Sequence, residues 1–287
     1  MICYLICYKI SYGKLRSIHP KIIFFTDLDG TVLDLESYSY EHSLSALNEL
    51  KKHDIPIIFC SHKTRAEQLV LRKEIGVDDP FIVENGGAIF IPKGYFNFRF
   101  DYQKESDDFI VIELGKSYEY IQSTLQKIET SFDVSLRGFS DMSVEEIAID
   151  SGLSYECAKL AKKREYGETL IIQGTKENIE RLLKSIENVG LKWTHGGRYF
   201  SVTAGNDKGA AVELLMNLFR KKYSYIKAIG VGDSLNDVPM FENVDESFLV
   251  QKSGGLWDDI SVNNMTKIDE VGPKGFQKAV YIVLNAL

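Results

Sequence analysis

The strongest early signal in the chain is an unbroken apolar run, Ile22 to Phe25 in KIIFFTDLDG, that stops abruptly at charged residues and a glycine. Such a run predicts a strand covered on both faces, central in a parallel sheet. From about His42 to His53 the pattern changes to helical spacing, with Leu44, Leu47 and Leu50 on one face. IPIIFC then forms a second buried strand that ends at Ser61, completing a β-α-β unit. Residues 64 to 75 read as another helix, and PFIVENGG as a short strand entering a glycine turn.

From about Pro92 the order of elements becomes irregular. DDFIVIELG, the helical YEYIQSTLQKIETSF, SVEEIAIDSGL, the Lys-rich SYECAKLAKKREYG, TLIIQG, a helix at 176 to 188 and KWTHGGRYFSVT suggest an α+β layer. The parallel pattern resumes with a helix at KGAAVELLMNLFRKK and a strand at YIKAIGVGDSLND that ends in acidic residues. The expected organisation is therefore an α/β core with a parallel sheet, formed by residues 21–91 and 205–287. A cap inserted at 92–204 and an N-terminal extension at 1–20 complete it. No internal repeat or low-complexity stretch is evident.

Composition narrows the function classes. With 287 residues, 44% hydrophobic and 26% charged, the chain has the make-up of an ordinary globular protein. A net charge of -7 argues against a nucleic-acid partner, which calls for a basic surface. Cys3, Cys7, Cys60 and Cys157 have neither metal-ligand spacing nor the look of a disulfide framework, so a reducing, cytoplasmic setting is expected. The opening MICYLICYKI is apolar over only about ten residues, too short to span a membrane. It also lacks the basic segment and cleavage site of a secretory signal.

Open α/β sheets bind ligands at the carboxyl ends of their strands, so the residues following each apolar run should converge. Those residues are Asp27 and Asp29, Ser61, Lys208 at a helix start, and Asp233 with Asp237. Phosphate-monoester hydrolysis needs an in-line nucleophile, cations for the phosphate oxygens and a proton donor for the leaving group. Asp27 suits the nucleophile and Asp29, two residues on, the proton donor and later base. Gly30 permits the sharp turn behind them. Asp233 and Asp237 offer hard oxygen ligands for Mg²⁺, Ser61 a hydrogen bond to phosphate, and Lys208 a cation beside phosphate and Asp27. Plainer readings stand beside these: Ser61 as N-cap of the helix near Thr64, Asp233 as a helix cap, Lys208 as a surface lysine. Lys63 and Arg65 could likewise be surface charge at a helix start, Arg164 part of the solvated run KLAKKR, and His195 a polar loop residue. Cys60 reads as packing.

DLDGTVLD at 27 to 34, Ser61, Lys208 and GDSLNDVPM at 232 to 240 resemble, in order, the four signature motifs of the haloacid dehalogenase-like phosphatases. That resemblance implies a Rossmann-like core, a phospho-aspartate intermediate, and Mg²⁺ bound by Asp27, the Asp29 backbone carbonyl and Asp233, with Asp237 in support. The insertion is similar to the C2-type cap of the Cof-like sugar phosphatases. CSHKTRAE at 60 to 67, ENGGAIF at 84 to 90, REYGET at 164 to 169 and GGRYFSVT at 196 to 203 further resemble the mannosyl-3-phosphoglycerate phosphatases. His62 and Gly167 depart from that pattern. The implied substrate is a phosphosugar bearing a glycerate acid, which a bidentate arginine such as Arg164 or Arg198 would suit. Lys63, Asn85 and Gly86 are the remaining candidate substrate contacts.

Overall fold

A computed structural model describes residues 19–106, 108–196 and 199–287, and the extension expected at 1–20 lies outside them except for its last two residues. Its strands are β1 (Lys21–Thr26), β2 (Ile57–Phe59), β3 (Phe81–Val83), β4 (Ala88–Pro92), β5 (Lys104–Glu105), β6 (Phe109–Glu113) and β7 (Val134–Gly138). They continue with β8 (Gly167–Gly174), β9 (Lys192–Gly196), β10 (Tyr199–Thr203), β11 (Ile226–Gly232), β12 (Glu246–Gln251) and β13 (Met265–Val271).

The apolar run of β1 is continuous because both of its faces are covered. Ile22 and Phe24 point into one hydrophobic cluster, where Leu47 and Leu50 of helix Glu41–Lys52 meet Phe276 and Val280 of helix Gly272–Asn285. Ile23 and Phe25 point into the other, against Val212, Leu215 and Phe219 of helix Lys208–Tyr223. Burying each such side chain contributes about 2 kcal/mol, which locks the register of the central strand. β1 pairs in parallel with β11 on one side and β2 on the other, in the order β13-β12-β11-β1-β2. This is the doubly covered parallel sheet of the expected α/β core. The strands β12 and β13 and the last helix were not distinguished in the sequence pattern; they complete the sheet edge and one of its layers.

Two antiparallel sheets follow. β3 touches the core through a parallel bridge between Cys60 and Ile82 and begins the order β3-β4-β6-β5. The pairing of β4 with β6 crosses residue 92, where the sequence pattern alone drew the start of the insertion. The second sheet, β7-β8-β10-β9, carries helices Tyr118–Glu129 and Lys176–Asn188 on one face, with Ile121, Leu125, Leu182 and Ile186 packed on Leu170 and Val202. Among the described residues, no helix is long and apolar enough to cross a membrane.

Candidate active site

The carboxyl ends of β1, β2 and β11 converge on the N-terminus of helix Lys208–Tyr223. The Asp27 amide donates to the Val231 carbonyl at 2.9 Å, fixing the first carboxylate against the strand that leads to Asp233. Lys208 is completely buried, and its Nζ donates to Asp27 Oδ1 at 2.5 Å and Asp237 Oδ1 at 2.7 Å. A solvated surface lysine is excluded by this placement. Asp237 Oδ2 accepts from the amides of Asp233 at 3.0 Å and Ser234 at 3.2 Å, which ties the loop after β11 to the same lysine.

Carboxylate oxygens of Asp27, Asp233 and Asp237 lie within 4.8 Å of one another. Burial drives the Asp27 carboxyl well above the usual range; Lys208 opposes this, while Asp237 and Asp233 add to it. Burial and then Asp237 push Asp233 up to about 7. For Lys208, burial alone would lower the ammonium, but Asp237 and Asp27 outweigh it and hold it charged. Three buried acids facing one lysine leave an excess of negative charge, and hard oxygen donors of this kind fit Mg²⁺. Gly30 belongs to that fit: at φ +79° it lies so close that a Cβ would stand 2.6 Å from Asp233 Oδ2. Since both oxygens of Asp237 are engaged, Asp27 and Asp233 are the carboxylates left facing a cation.

The Asp29 side chain stands apart from this cluster. Its Oδ1 lies 3.0 Å from Lys63 Nζ and its Oδ2 3.6 Å from His62 Nε2, while Lys63 also reaches Glu67 at 3.3 Å. Burial would raise the Asp29 carboxyl, but Lys63 and His62 overcome it and hold it below its ordinary value. Ser61, also buried, accepts the Lys63 amide on its Oγ at 3.3 Å. It is not the cap of the following helix: Thr64 is, in a capping box with Glu67. Ser61 is thus free of that duty. Cys60 is buried in the sheet, as expected, with its thiol pushed above its usual range by burial.

The remaining candidates divide. Asn85 follows β3, and its side chain donates to Ser201 Oγ in β10 at 3.3 Å. Gly86, at φ +85°, lets the turn pass the next motif, since a Cβ there would stand 2.0 Å from the Asp207 carbonyl. Asn85 and Asn236 line, with Trp193 and Thr194 of β9, a cavity of about 230 Å³ beside Lys208. Arg164 is placed differently from a solvated charge. Its guanidinium is buried, donating to the Gly167 carbonyl at 2.7 Å and the His62 carbonyl at 3.1 Å, with Glu84 Oε2 at 3.5 Å. Arg65 pairs with Glu165 at 2.7 Å, and His195 stacks on Phe200 at 4.2 Å. Arg198 lies outside the described residues.

Sequence reasoning passed over Glu84, Trp193 and Asn206, whose side-chain amide donates to the Asn85 carbonyl at 3.2 Å beside the same cavity. The one available signal for Glu84 was a charged residue directly after a buried strand and before Asn-Gly-Gly.

A family model described as haloacid dehalogenase-like hydrolase matches residues 24–254. A glucosyl-3-phosphoglycerate/mannosyl-3-phosphoglycerate phosphatase of Methanococcoides burtonii is 41% identical over 261 residues, covering 91% of this chain and 96% of its own. A mannosyl-3-phosphoglycerate phosphatase of Pyrococcus horikoshii is 42% identical over 228 residues, 79% of this chain and 90% of its own. Among solved structures, the sucrose-phosphatase of Synechocystis aligns with a TM-score of 0.60 at 14% identity, covering 92% of this chain and 98% of its own, a likeness of fold.

Proposed function

The chain belongs to the haloacid dehalogenase-like hydrolases, and we propose that it is a Mg²⁺-dependent phosphatase that converts mannosyl-3-phosphoglycerate to mannosylglycerate and phosphate. The observation that carries the chemistry is the buried trio of Asp27, Lys208 and Asp237, with Asp233 beside it, at the carboxyl end of a parallel sheet. The substrate rests on the relatives. Because those of Methanococcoides burtonii and Persephonella marina, 41% and 37% identical, carry both sugars in their names, glucosyl-3-phosphoglycerate is the second substrate of this reading. The cytoplasm is the compartment proposed, from cysteine spacing that has no look of a disulfide framework.

In this mechanism an Asp27 oxygen attacks phosphorus in line with the glycerate 3-oxygen, forming an aspartyl-phosphate as the phosphorus–oxygen bond to glycerate breaks. Lys208 aims Asp27 and favours its ionised form against the effect of burial. Ser61 and Lys63 donate to the phosphate oxygens from the loop after β2. The entering dianion competes with Asp29 for Lys63, so the Asp29 carboxyl gains proton affinity and can deliver a proton to the leaving alkoxide. It then takes a proton from the water that attacks phosphorus and frees Asp27. Asp27 and Asp233, with Asp237 in support and the Asp29 carbonyl as the family resemblance implies, would hold Mg²⁺, which would supply positive charge to the phosphate oxygens. The inserted cap, residues 92–204, closes over this site to exclude water, with the cavity lined by Trp193, Asn85 and Asn236 receiving the sugar.

The test is phosphate release from mannosyl-3-phosphoglycerate, glucosyl-3-phosphoglycerate and mannose-6-phosphate, with Mg²⁺ or EDTA. Preference for the glycosyl-phosphoglycerates, abolished by EDTA and reduced by about 10³-fold or more in Asp27→Asn, is expected. Equal rates across the panel remove the proposed substrate, and no release from any ester removes the enzyme.

A further inference from the structure

Three consecutive residues after β3, Glu84, Asn85 and Gly86, hold positive φ values of 48°, 54° and 85°. For a glutamate this conformation is uncommon and costs about 1 kcal/mol or more, so neighbouring contacts must hold it. Those contacts run in two directions. Toward the catalytic loop, the Glu84 amide donates to the Lys63 carbonyl at 3.1 Å and the Asn85 amide to the Ser61 carbonyl at 3.0 Å. Toward the cap, the Glu84 carboxylate accepts the Glu165 amide at 2.8 Å and the Tyr166 amide at 3.0 Å, with Arg164 at 3.5 Å.

Arg164 closes the circuit by donating to the His62 carbonyl at 3.1 Å. The Glu84 side chain is fully buried, and burial raises its carboxyl while Arg164 and the two amides favour the charged form. A buried carboxylate held this way has little freedom: shifting the 164–166 segment moves either the acceptor or the strained turn. The strained turn in turn carries the loop that presents Ser61 and Lys63.

We propose that Glu84 is a positioning residue that couples the seat of the cap to the phosphate-binding loop at Ser61–Lys63, so that a substrate filling the cap cavity also sets that loop. This inference rests on the phosphatase reading. It gives the large phosphosugar a rate advantage that a small phosphate ester, which does not reach the cap, lacks.

The experiment compares wild type with Glu84→Gln, which keeps shape but loses one amide acceptor and the charge, using mannosyl-3-phosphoglycerate and p-nitrophenyl phosphate. The expected result is a fall in kcat for the phosphosugar about 10-fold or more larger than that for the small ester, which shares the loosened Ser61–Lys63 loop but gains nothing from the cap. Hydrogen exchange, read without substrate, should accelerate together at residues 61–65 and 164–167 in the variant. Equal losses on both esters would mark Glu84 as structural only and overturn the coupling, as would an unchanged variant. Faster exchange at 164–167 with residues 61–65 at the wild-type rate overturns it too. Wild type inactive on both esters would remove the phosphatase reading alone, because the exchange pattern still decides the coupling. If Glu84→Gln does not fold, Glu84→Asp, charged but too short to reach both amides, takes its place with the same outcomes at smaller size.

Discussion

Lys208 is the residue on which the charge balance of the site turns, since it is the buried cation that contacts both Asp27 and Asp237. Removing one partner of a buried ionic cluster leaves the others uncompensated, at a cost of about 3–5 kcal/mol. Lys208→Met should therefore lower metal-free stability by about that amount in chemical denaturation and reduce kcat by about 10²-fold or more. Added Mg²⁺ should restore part of the stability and none of the turnover. The acids predict a pH dependence of their own. Asp233 has a folded value raised from 3.8 to about 7 by burial and Asp237, and Asp27 is raised as well. A raised carboxyl stabilises the fold fully below its unfolded value and loses that contribution as pH rises through the folded one. In EDTA, the stability from Asp233 should thus decline between pH 4 and about 7, the value to which it is raised, and the raised Asp27 adds a loss of the same sign. Mg²⁺ needs the deprotonated acids, so the Tm gain on adding Mg²⁺ should be larger at pH 8 than at pH 5. A calorimetric comparison in EDTA and Mg²⁺ at the two pH values checks both signs, and an equal gain would remove these acids as ligands.

Among the elements, the turn after β1 and the loop after β11 work as a pair. Gly30 lets the one approach the other, its absent Cβ leaving room that Asp233 Oδ2 occupies. Gly30→Ala adds both a left-handed strain and a contact at 2.6 Å, which Asp233 can relieve only by moving. The expected outcome is a Mg²⁺ dissociation constant raised by about 10- to 100-fold, measured by titration calorimetry, with the overall fold retained by circular dichroism. The elements themselves were largely legible from spacing: the helices expected at 42–53, 64–75 and 176–188 are found at Glu41–Lys52, Arg65–Ile75 and Lys176–Asn188. Their caps explain the sharpness, because Thr64 and Thr175 each satisfy a free amide of the first turn. The β4–β6 pairing escaped the same reading, since hydrogen bonds between segments some twenty residues apart leave no periodic trace in either one.

At the scale of the molecule, the sheet β7-β8-β10-β9 brings an aromatic to a cavity that Lys208 and Asn236 also line. Trp193 is placed by β9 at the cavity beside Asn85 and Asn236, and its indole donates to Glu187 at 3.0 Å. Trp193→Ala should enlarge the cavity and lower kcat/KM for mannosyl-3-phosphoglycerate relative to p-nitrophenyl phosphate by about tenfold, as lost apolar complementarity commonly does. An unchanged ratio in steady-state kinetics would show that the sugar does not use this cavity.

The sequence by itself determined the central strand, the β-α-β unit and the order in which Asp27, Ser61 and Asp233 follow apolar runs, with Lys208 opening a helix between the last two. Burial on both faces forces an unbroken apolar run, and chemistry at strand ends then follows each run by a residue or two. Only the tertiary structure decided that Lys63 faces Asp29, that Arg164 is buried against Glu84, and that Asp237 holds Lys208 and its own loop. Each of these depends on charges far apart in the chain meeting in a low-dielectric interior. The direction a long side chain takes there is set by the partner it finds, and local spacing does not encode that partner.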